Sequence, residues 1–336
     1  MADGRRWTAD GGRQTADGRR RRRTADGGRW AASAKRGRRS LLTATVTGSG
    51  GASEVVQIDA VAMPELPEVE TVRRTLAPAV GGRISSVWTS GMGLHMARKP
   101  SRAKLQTLVG ARITAVRRHG KYLLIDTNRK ASLLVHLGMT GRLRIHDKKD
   151  PPAKHTHVVL GLGKRELRFS DARRFGQVDV VVRGEERAHA GLGALGPDAL
   201  DVTIDVAALL VLAKAKRTTV KAFVLDQSVI AGVGNIYASE ALWRAKLRPT
   251  LRTHKLTSTS TARLAAAIRE VIDRALDNGG TTLSDFVDAD GVAGDNADYL
   301  WVYDRKGLPC PRCATPIKRS VLQGRATYYC PTCQTA

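Results

Sequence analysis

Met63-Pro64-Glu65-Leu66-Pro67-Glu68-Val69-Glu70-Thr71-Val72-Arg73-Arg74-Thr75-Leu76 is where this 336-residue chain changes character. Leu66, Val69, Val72 and Leu76 recur at helical spacing and share one face. A proline suits a first turn, and the acidic residues beside it suit the positive end of the helix dipole. The stretch predicts the first helix of a folded body that runs to the C-terminus.

Upstream, residues 1–62 show no such pattern. An Ala-Asp-Gly unit recurs from Ala2, Ala9, Ala16 and Ala25, and Arg19 to Arg23 form an unbroken basic run. Low complexity without periodicity predicts a disordered basic extension. Leu41 to Val46 is too short and polar for a signal-peptide core, and four Asp residues in the repeats argue against a transit peptide. The break at Met63 reads as a mis-assigned start, with upstream DNA translated as protein.

Downstream, short apolar runs alternate with Gly and charge: Ile113–Val116, Tyr122–Ile125, Leu133–Leu137, Leu143–Ile145, His157–Leu160, Leu167–Phe169 and Val178–Val182. This predicts an antiparallel sandwich or barrel over 63–192. A Gly/Leu stretch around Pro197 reads as a linker, 193–204. A helical domain, 205–300, follows, with helices expected over Asp205–Ala215, Thr218–Asp226 and Ile236–Ala245. A long amphipathic helix carries Leu264, Ile268, Val271, Ile272 and Leu276 and ends at Gly279-Gly280. Gly232-Val233-Gly234 at a helix start fits either a plain turn or a phosphate-facing N-terminus. Residues 301–336 return to short strands.

Charge narrows the partner. The chain has 56 Lys+Arg against 31 Asp+Glu, a formal +25. Residues 1–62 hold 13 basic and 6 acidic residues, so most of the excess belongs to the body. That favours a polyanion, nucleic acid first. No apolar run approaches the roughly 18 residues of a membrane span. All four cysteines fall in Cys310-x2-Cys313 and Cys330-x2-Cys333, with sixteen residues between the pairs. That spacing predicts one structural zinc held by four thiolates with no open position, around a basic hairpin, Lys318 to Arg325. No organic cofactor is expected.

Together these motifs closely resemble the formamidopyrimidine-DNA glycosylase family, bacterial enzymes that excise oxidised purines. The resemblance covers Met63 to Gln334. It rests on Pro64–Glu68, Lys121-Tyr122-Leu123-Leu124, His136–Gly141, Asp171–Gly176, Gly232–Glu240, Gly279–Leu283 and the paired cysteines. It implies an α+β multidomain fold: an antiparallel β-sandwich with flanking helices, a helix–two-turn–helix domain and a C-terminal β-hairpin zinc finger.

It also implies roles. Pro64 matches the N-terminal proline nucleophile, Glu65 the proton donor that opens the sugar, and Glu68 a residue positioning the N-terminus. Lys121 matches the lysine of β-elimination and phosphate contact, and Arg325 the finger arginine of δ-elimination. Met139, Arg173 and Phe175 match the side chains that fill the hole left by an extruded base. His155, Arg173, Lys216, Lys221 and Asn235 match DNA contacts.

The implied function is excision of 8-oxoguanine and formamidopyrimidines from duplex DNA, with lyase action at abasic sites. The protein is expected to act as a monomer on DNA, in a bacterial cytoplasm and associated with the nucleoid. An endonuclease VIII-like enzyme for oxidised pyrimidines is the rival. Leu66 and the complete Met139/Arg173/Phe175 set favour the purine enzyme.

Two features depart from the family. Pro64 is internal here, so its nitrogen is an amide. A chain that keeps residues 1–63 is therefore expected to bind damaged DNA without catalysis. The segment 288–299, matching the loop over the flipped base, carries Asp295 and Asn296 where aromatic residues are expected, and this bears on lesion preference.

Overall fold

The computed structural model describes residues 63–94, 101–200, 203–282 and 286–335. The extension 1–62 lies outside them. The described residues belong to one unit, Ile58–Ala336.

The opening stretch forms helix α1, Leu66–Thr75, with Pro67 in its first turn. The chain then builds β1 (Ser86–Thr89), a short α2 (Arg102–Gln106), β2 (Ile113–His119), β3 (Tyr122–Thr127), β4 (Ser132–His136), β5 (Gly141–Asp147), β6 (Thr156–Leu162), β7 (Arg165–Asp171) and β8 (Gln177–Val181). All seven expected strands are present. β1 was not expected, because its Ser-Val-Trp-Thr sits on a sheet edge with alternate residues exposed and so has little apolar signal.

The strands make two four-stranded antiparallel sheets, β1-β6-β7-β5 and β2-β3-β4-β8. One apolar cluster fills the space between them. Leu123, Ile125, Leu133 and Val135 come from one sheet and Leu143, Val158, Leu167 and Phe169 from the other. Val69, Val72 and Leu76 of α1 join the same cluster.

The continuous apolar runs of β3 and β4 have a physical cause. Their alternate residues, Leu124 and Leu134, face a second cluster with Leu192. By contrast, the outer face of β5 and β7 carries Arg142, Arg144, His146 and Arg168, which line a basic groove with Lys154 and His155.

A single-turn α3 (Ala190–Gly193) leads to α4 (Val206–Lys216), α5 (Val220–Leu225), α6 (Asn235–Arg244) and α7 (Ser258–Asp277). Side-chain oxygens of Asp205, Thr219 and Thr257 accept from free backbone N–H groups at the starts of α4, α5 and α7. Each such cap contributes about 1 kcal/mol. Gly279 and Gly280 end α7 with φ of 70° and 88°, where a side chain is strained.

The segment read as a linker is pinned. Asp198 is buried, accepts from the Arg118 guanidinium and from the Gly120 N–H, and its backbone bridges to Ala231.

The final hairpin is β9 (Lys318–Leu322) and β10 (Arg325–Tyr329), joined by Gln323-Gly324 with φ of 50° and 71°. Two residues at positive φ match the right-handed twist of the strands. The helical domain and the hairpin share one core: Cys310, Ile317, Tyr328 and Cys330 pack with Ile236, Leu242 and Trp243. No helix among the described residues is long and apolar enough to cross a membrane.

Candidate functional site

The start of α1 is inserted against the start of α6. The Leu66 N–H donates to the Gly232 carbonyl at 3.1 Å. Glu65 Oε1 accepts from the Ile236 N–H at 2.9 Å and Oε2 from the Tyr237 N–H at 3.4 Å. The helix N-terminus that could have taken a phosphate therefore holds the Glu65 carboxylate. This contact explains both glycines. A Cβ on Gly234 would lie 2.2 Å from Glu65 Cδ, and one on Gly232 would lie 2.4 Å from Leu66 Cδ1.

Glu65 is 3% exposed. Burial pushes its carboxyl up, against the opposing pull of Lys121 and of the α6 backbone donors. Lys121, in the β2–β3 turn, is pushed down by burial and by Arg325, with Glu65 opposing. The shifts of the two groups bring their proton affinities closer together than in free side chains.

Glu68 lies one turn behind. It accepts from the Glu65 N–H at 2.8 Å, from the Thr281 N–H at 2.7 Å and from the Tyr237 hydroxyl at 2.5 Å. Burial and the charge of Glu65 raise it to about 7 despite these donors.

A cavity of about 360 Å³ is lined by Met63, Glu65, Lys121, Met139, Asn235, Tyr303 and Arg325, among others. Pro64 is buried between Met63 and Glu65, its nitrogen in the Met63–Pro64 amide. Arg325 reaches the cavity from the tip of the β9–β10 hairpin.

Met139 and the Arg173/Phe175 pair sit on two turns locked together. The Asp171 carboxylate accepts from Thr140 Oγ1, the Arg173 N–H and the Gly176 N–H. A Cβ on Gly138 would meet the Gly176 nitrogen at 2.5 Å, so the turns touch backbone to backbone. The Arg173 guanidinium lies 4.9 Å from the Phe175 ring centroid. Arg173 is exposed, and Met139 and Phe175 are half-buried.

The expected DNA contacts divide. His155 is exposed at φ 67° beside the basic groove. Lys216 is exposed but paired with Asp226 at 2.6 Å. Lys221 is a correction: it is 1% exposed, and its ammonium donates to the Ala326 carbonyl at 2.7 Å and to Thr327 Oγ1 at 2.6 Å. Burial lowers it to about 7, with Arg325 adding to the effect. Asn235 Nδ2 donates to the same Ala326 carbonyl at 3.0 Å. Both side chains hold the strand that presents Arg325.

The Sγ atoms of Cys310, Cys313, Cys330 and Cys333 lie within 4.8 Å of one another. Three of the pairs are 3.4 to 3.9 Å apart. Tetrahedral Zn–S bonds of about 2.3 Å place sulfurs about 3.8 Å apart, so the four thiolates fit one zinc ion. The Trp243 indole donates to Cys310 Sγ at 3.4 Å, joining the metal knuckle to α6.

Sequence analysis gives no role to Tyr237 or Thr281, and notes Asn296 only as standing where an aromatic residue is expected. Tyr237 and Thr281 donate to Glu68 from 169 and 213 residues away in the chain, Asn296 donates to Thr281 behind them, and nothing in the sequence marks these side chains as partners of Glu68.

Three family models match. The formamidopyrimidine-DNA glycosylase N-terminal domain matches residues 63–178, the H2TH domain of the same enzyme residues 195–287, and a zinc finger found in FPG and IleRS residues 307–336. The formamidopyrimidine-DNA glycosylase of Methylococcus capsulatus is 48% identical over 275 residues, 81% of this chain and 100% of that protein. The Pelotomaculum thermopropionicum protein is 42% identical, covering 81% of this chain and 99% of its own. The crystal structure of MutM (FPG) from Thermus thermophilus matches with a TM-score of 0.73 and 42% identity, over 81% of this chain and 98% of that one. Lactococcus lactis FPG bound to DNA containing an abasic site matches at 0.74 and 31%, over 81% and 100%.

Proposed function

The chain belongs to the formamidopyrimidine-DNA glycosylase family, and from that membership as a DNA glycosylase we propose its substrates and mechanism. The form beginning at Pro64 excises oxidised purines, 8-oxoguanine and formamidopyrimidines, from duplex DNA. It then cleaves the strand by β,δ-elimination. The observation that carries the reading is the cavity where Glu65, Lys121, Met139, Asn235 and Arg325 meet beside residue 63.

With residue 63 gone, the Pro64 nitrogen is a secondary amine. An α-amine has a pKa of about 8, so part of it is unprotonated near neutrality. Its lone pair forms a bond to the sugar C1′ as the glycosidic bond breaks; the base departs with the electron pair of the broken bond and takes up the proton that the amine loses. Glu65, its carboxyl pushed up by burial, is placed to give a proton to the ring oxygen. The sugar opens to an iminium between the Pro64 nitrogen and C1′. The iminium draws electrons from C2′, the C2′ proton is lost, and the 3′ phosphate leaves. Lys121, depressed by burial, is placed to take that proton, and Arg325 to hold the departing phosphates.

The target base must leave the stack to reach this cavity. Met139, Arg173 and Phe175 fill the space it vacates and offset part of the unstacking cost, a few kcal/mol. The zinc ion supplies no reactive position and holds the hairpin that presents Arg325.

The test uses duplexes with one formamidopyrimidine, one 8-oxoguanine or one oxidised pyrimidine. Protein beginning at Pro64 should release the purines and leave β,δ-cleaved ends, and the 336-residue chain should release nothing. Preferential release of the pyrimidine, or equal release by the full chain, contradicts the reading.

A further inference from the structure

The basic groove on the outer face of β5 and β7 takes no part in the chemistry above. It holds about 250 Å³. β7 is its floor, with Arg168 and Ser170. β5 forms one wall, with Arg142, Arg144 and His146, and the turn before β6 forms the other, with Lys154 and His155. Of these residues only His155 is one to which the family resemblance gives a DNA contact.

The charges in the groove are oriented but not cancelled. Arg168 is 3% exposed and satisfied internally: it pairs with Glu166 at 2.8 Å and donates to the carbonyls of Asp147, Asp150 and Pro151. Arg144 differs. Its Nε and Nη2 donate to the Ala289 and Asp290 carbonyls at 3.3 and 3.0 Å, which fix the guanidinium without neutralising it. Arg142, Lys154 and His155 are exposed at the rim. Asp171, the carboxylate in the lining, is turned to Thr140 and to the Arg173 and Gly176 N–H groups. His146 feels the resulting field. Burial, Arg144 and Arg168 hold it below its usual value, against Asp150 and Glu166. An anion is the occupant that this surface favours.

The groove is also joined to the turns that carry Met139 and Arg173. The Asp171 N–H donates to the His155 carbonyl at 2.9 Å, while the Asp171 carboxylate holds both turns. Met139 lines the cavity beside Glu65, and Thr140, next in the chain, lines the groove. Cavity and groove therefore lie on either side of one turn. A DNA strand with a nucleotide in the cavity has its backbone beside the groove.

We propose that the groove binds a backbone phosphate of the duplex outside the damaged nucleotide. Arg142 and Lys154 close on it from the two walls, and Arg144 supplies fixed charge behind them. Guanidinium and ammonium groups suit a phosphate, and such contacts set register without reading a base. Bound there, the duplex is registered against Met139, Arg173 and Phe175. This role rests on the reading of damaged duplex DNA as the substrate.

The test is binding of the full 336-residue chain to a duplex with one abasic site, followed by fluorescence anisotropy, with no turnover involved. Arg142→Ala should lower affinity on the order of tenfold at about 50 mM salt and flatten the slope of log affinity against log salt by about 0.9. Any exposed cation near DNA does as much, so the deciding arm replaces one phosphate at a time by a neutral methylphosphonate. At one position outside the abasic nucleotide, the replacement should cost the unaltered chain as much as Arg142→Ala does, and should cost Arg142→Ala nothing more. Lys154→Ala should couple to the same phosphate or its neighbour, and it carries the test alone if Arg142→Ala does not fold. A site for free anions would instead let inorganic phosphate displace the duplex from the unaltered chain but not from Arg142→Ala at matched ionic strength, with no coupled position. That result, an unchanged slope in both variants, or losses that couple to no phosphate overturns the proposal. Tight binding of the abasic duplex with no coupled position strikes the groove alone, whereas no preference for the abasic over the undamaged duplex removes the substrate reading and the groove with it.

Discussion

Two carboxylates on one short helix start carry opposite demands. Glu65 is bound at the α6 N-terminus, whereas Glu68 is surrounded by donors yet sits at about 7, above its usual 4.5. A carboxyl raised on folding binds its proton more tightly folded than unfolded. Its favourable contribution is therefore present at low pH and is lost as pH rises from 4.5 through 7. The shift corresponds to about 3 kcal/mol. Glu68→Gln should remove this loss, so urea titrations of the two proteins should diverge between pH 5 and pH 8. Parallel curves would show that Glu68 is not perturbed. The importance of Glu65 and Glu68 was legible in the sequence only through resemblance. Their surroundings were not legible, because Tyr237, Thr281 and Asn296 arrive from distant elements.

Among the elements, the junction of α1 with α6 has the least tolerance. Gly234 has ordinary extended backbone, so any effect of a side chain there is steric. Gly234→Ala places a methyl 2.2 Å from Glu65 Cδ. It should cost on the order of 2 kcal/mol by overpacking and abolish base excision by the Pro64 form. Retained excision would mean that the Glu65 seat is not used. The hairpin gives a second test. Lys216 is exposed and Lys221 is buried against β10, although both read alike in the sequence. Lys216→Ala should flatten the slope of log affinity against log salt by about 0.9. Lys221→Met should leave that slope unchanged and instead lower thermal stability, because Ala326 and Thr327 lose a donor. Equal slope changes would put both lysines on DNA. Sequence reasoning failed at Lys221 because a lysine is presumed exposed, and nothing near it announces the carbonyl and hydroxyl that receive its ammonium.

For the whole molecule, the strands and helices were legible because most carry clear periodicity or continuous apolar runs. How far the parts share interiors was not. Leu66 of α1 lies in the core of the helical domain, and Cys310 and Cys330 of the finger lie in it too. Zinc loss should therefore reach beyond the finger. Cys313→Ser should lose the metal, lower the melting temperature and weaken DNA binding together. A metal-free protein with unchanged melting would confine the ion's effect to the hairpin. The central claim is that the Pro64 nitrogen, amide-bound in the 336-residue chain, becomes the nucleophile once residue 63 is removed. Borohydride reduction of the intermediate on 8-oxoguanine DNA, followed by peptide mapping, tests this most directly. The account predicts a covalent adduct on Pro64 in protein beginning there, and none with the full chain. An adduct on Lys121 or another lysine, or equal trapping by the intact 336-residue protein, would contradict it.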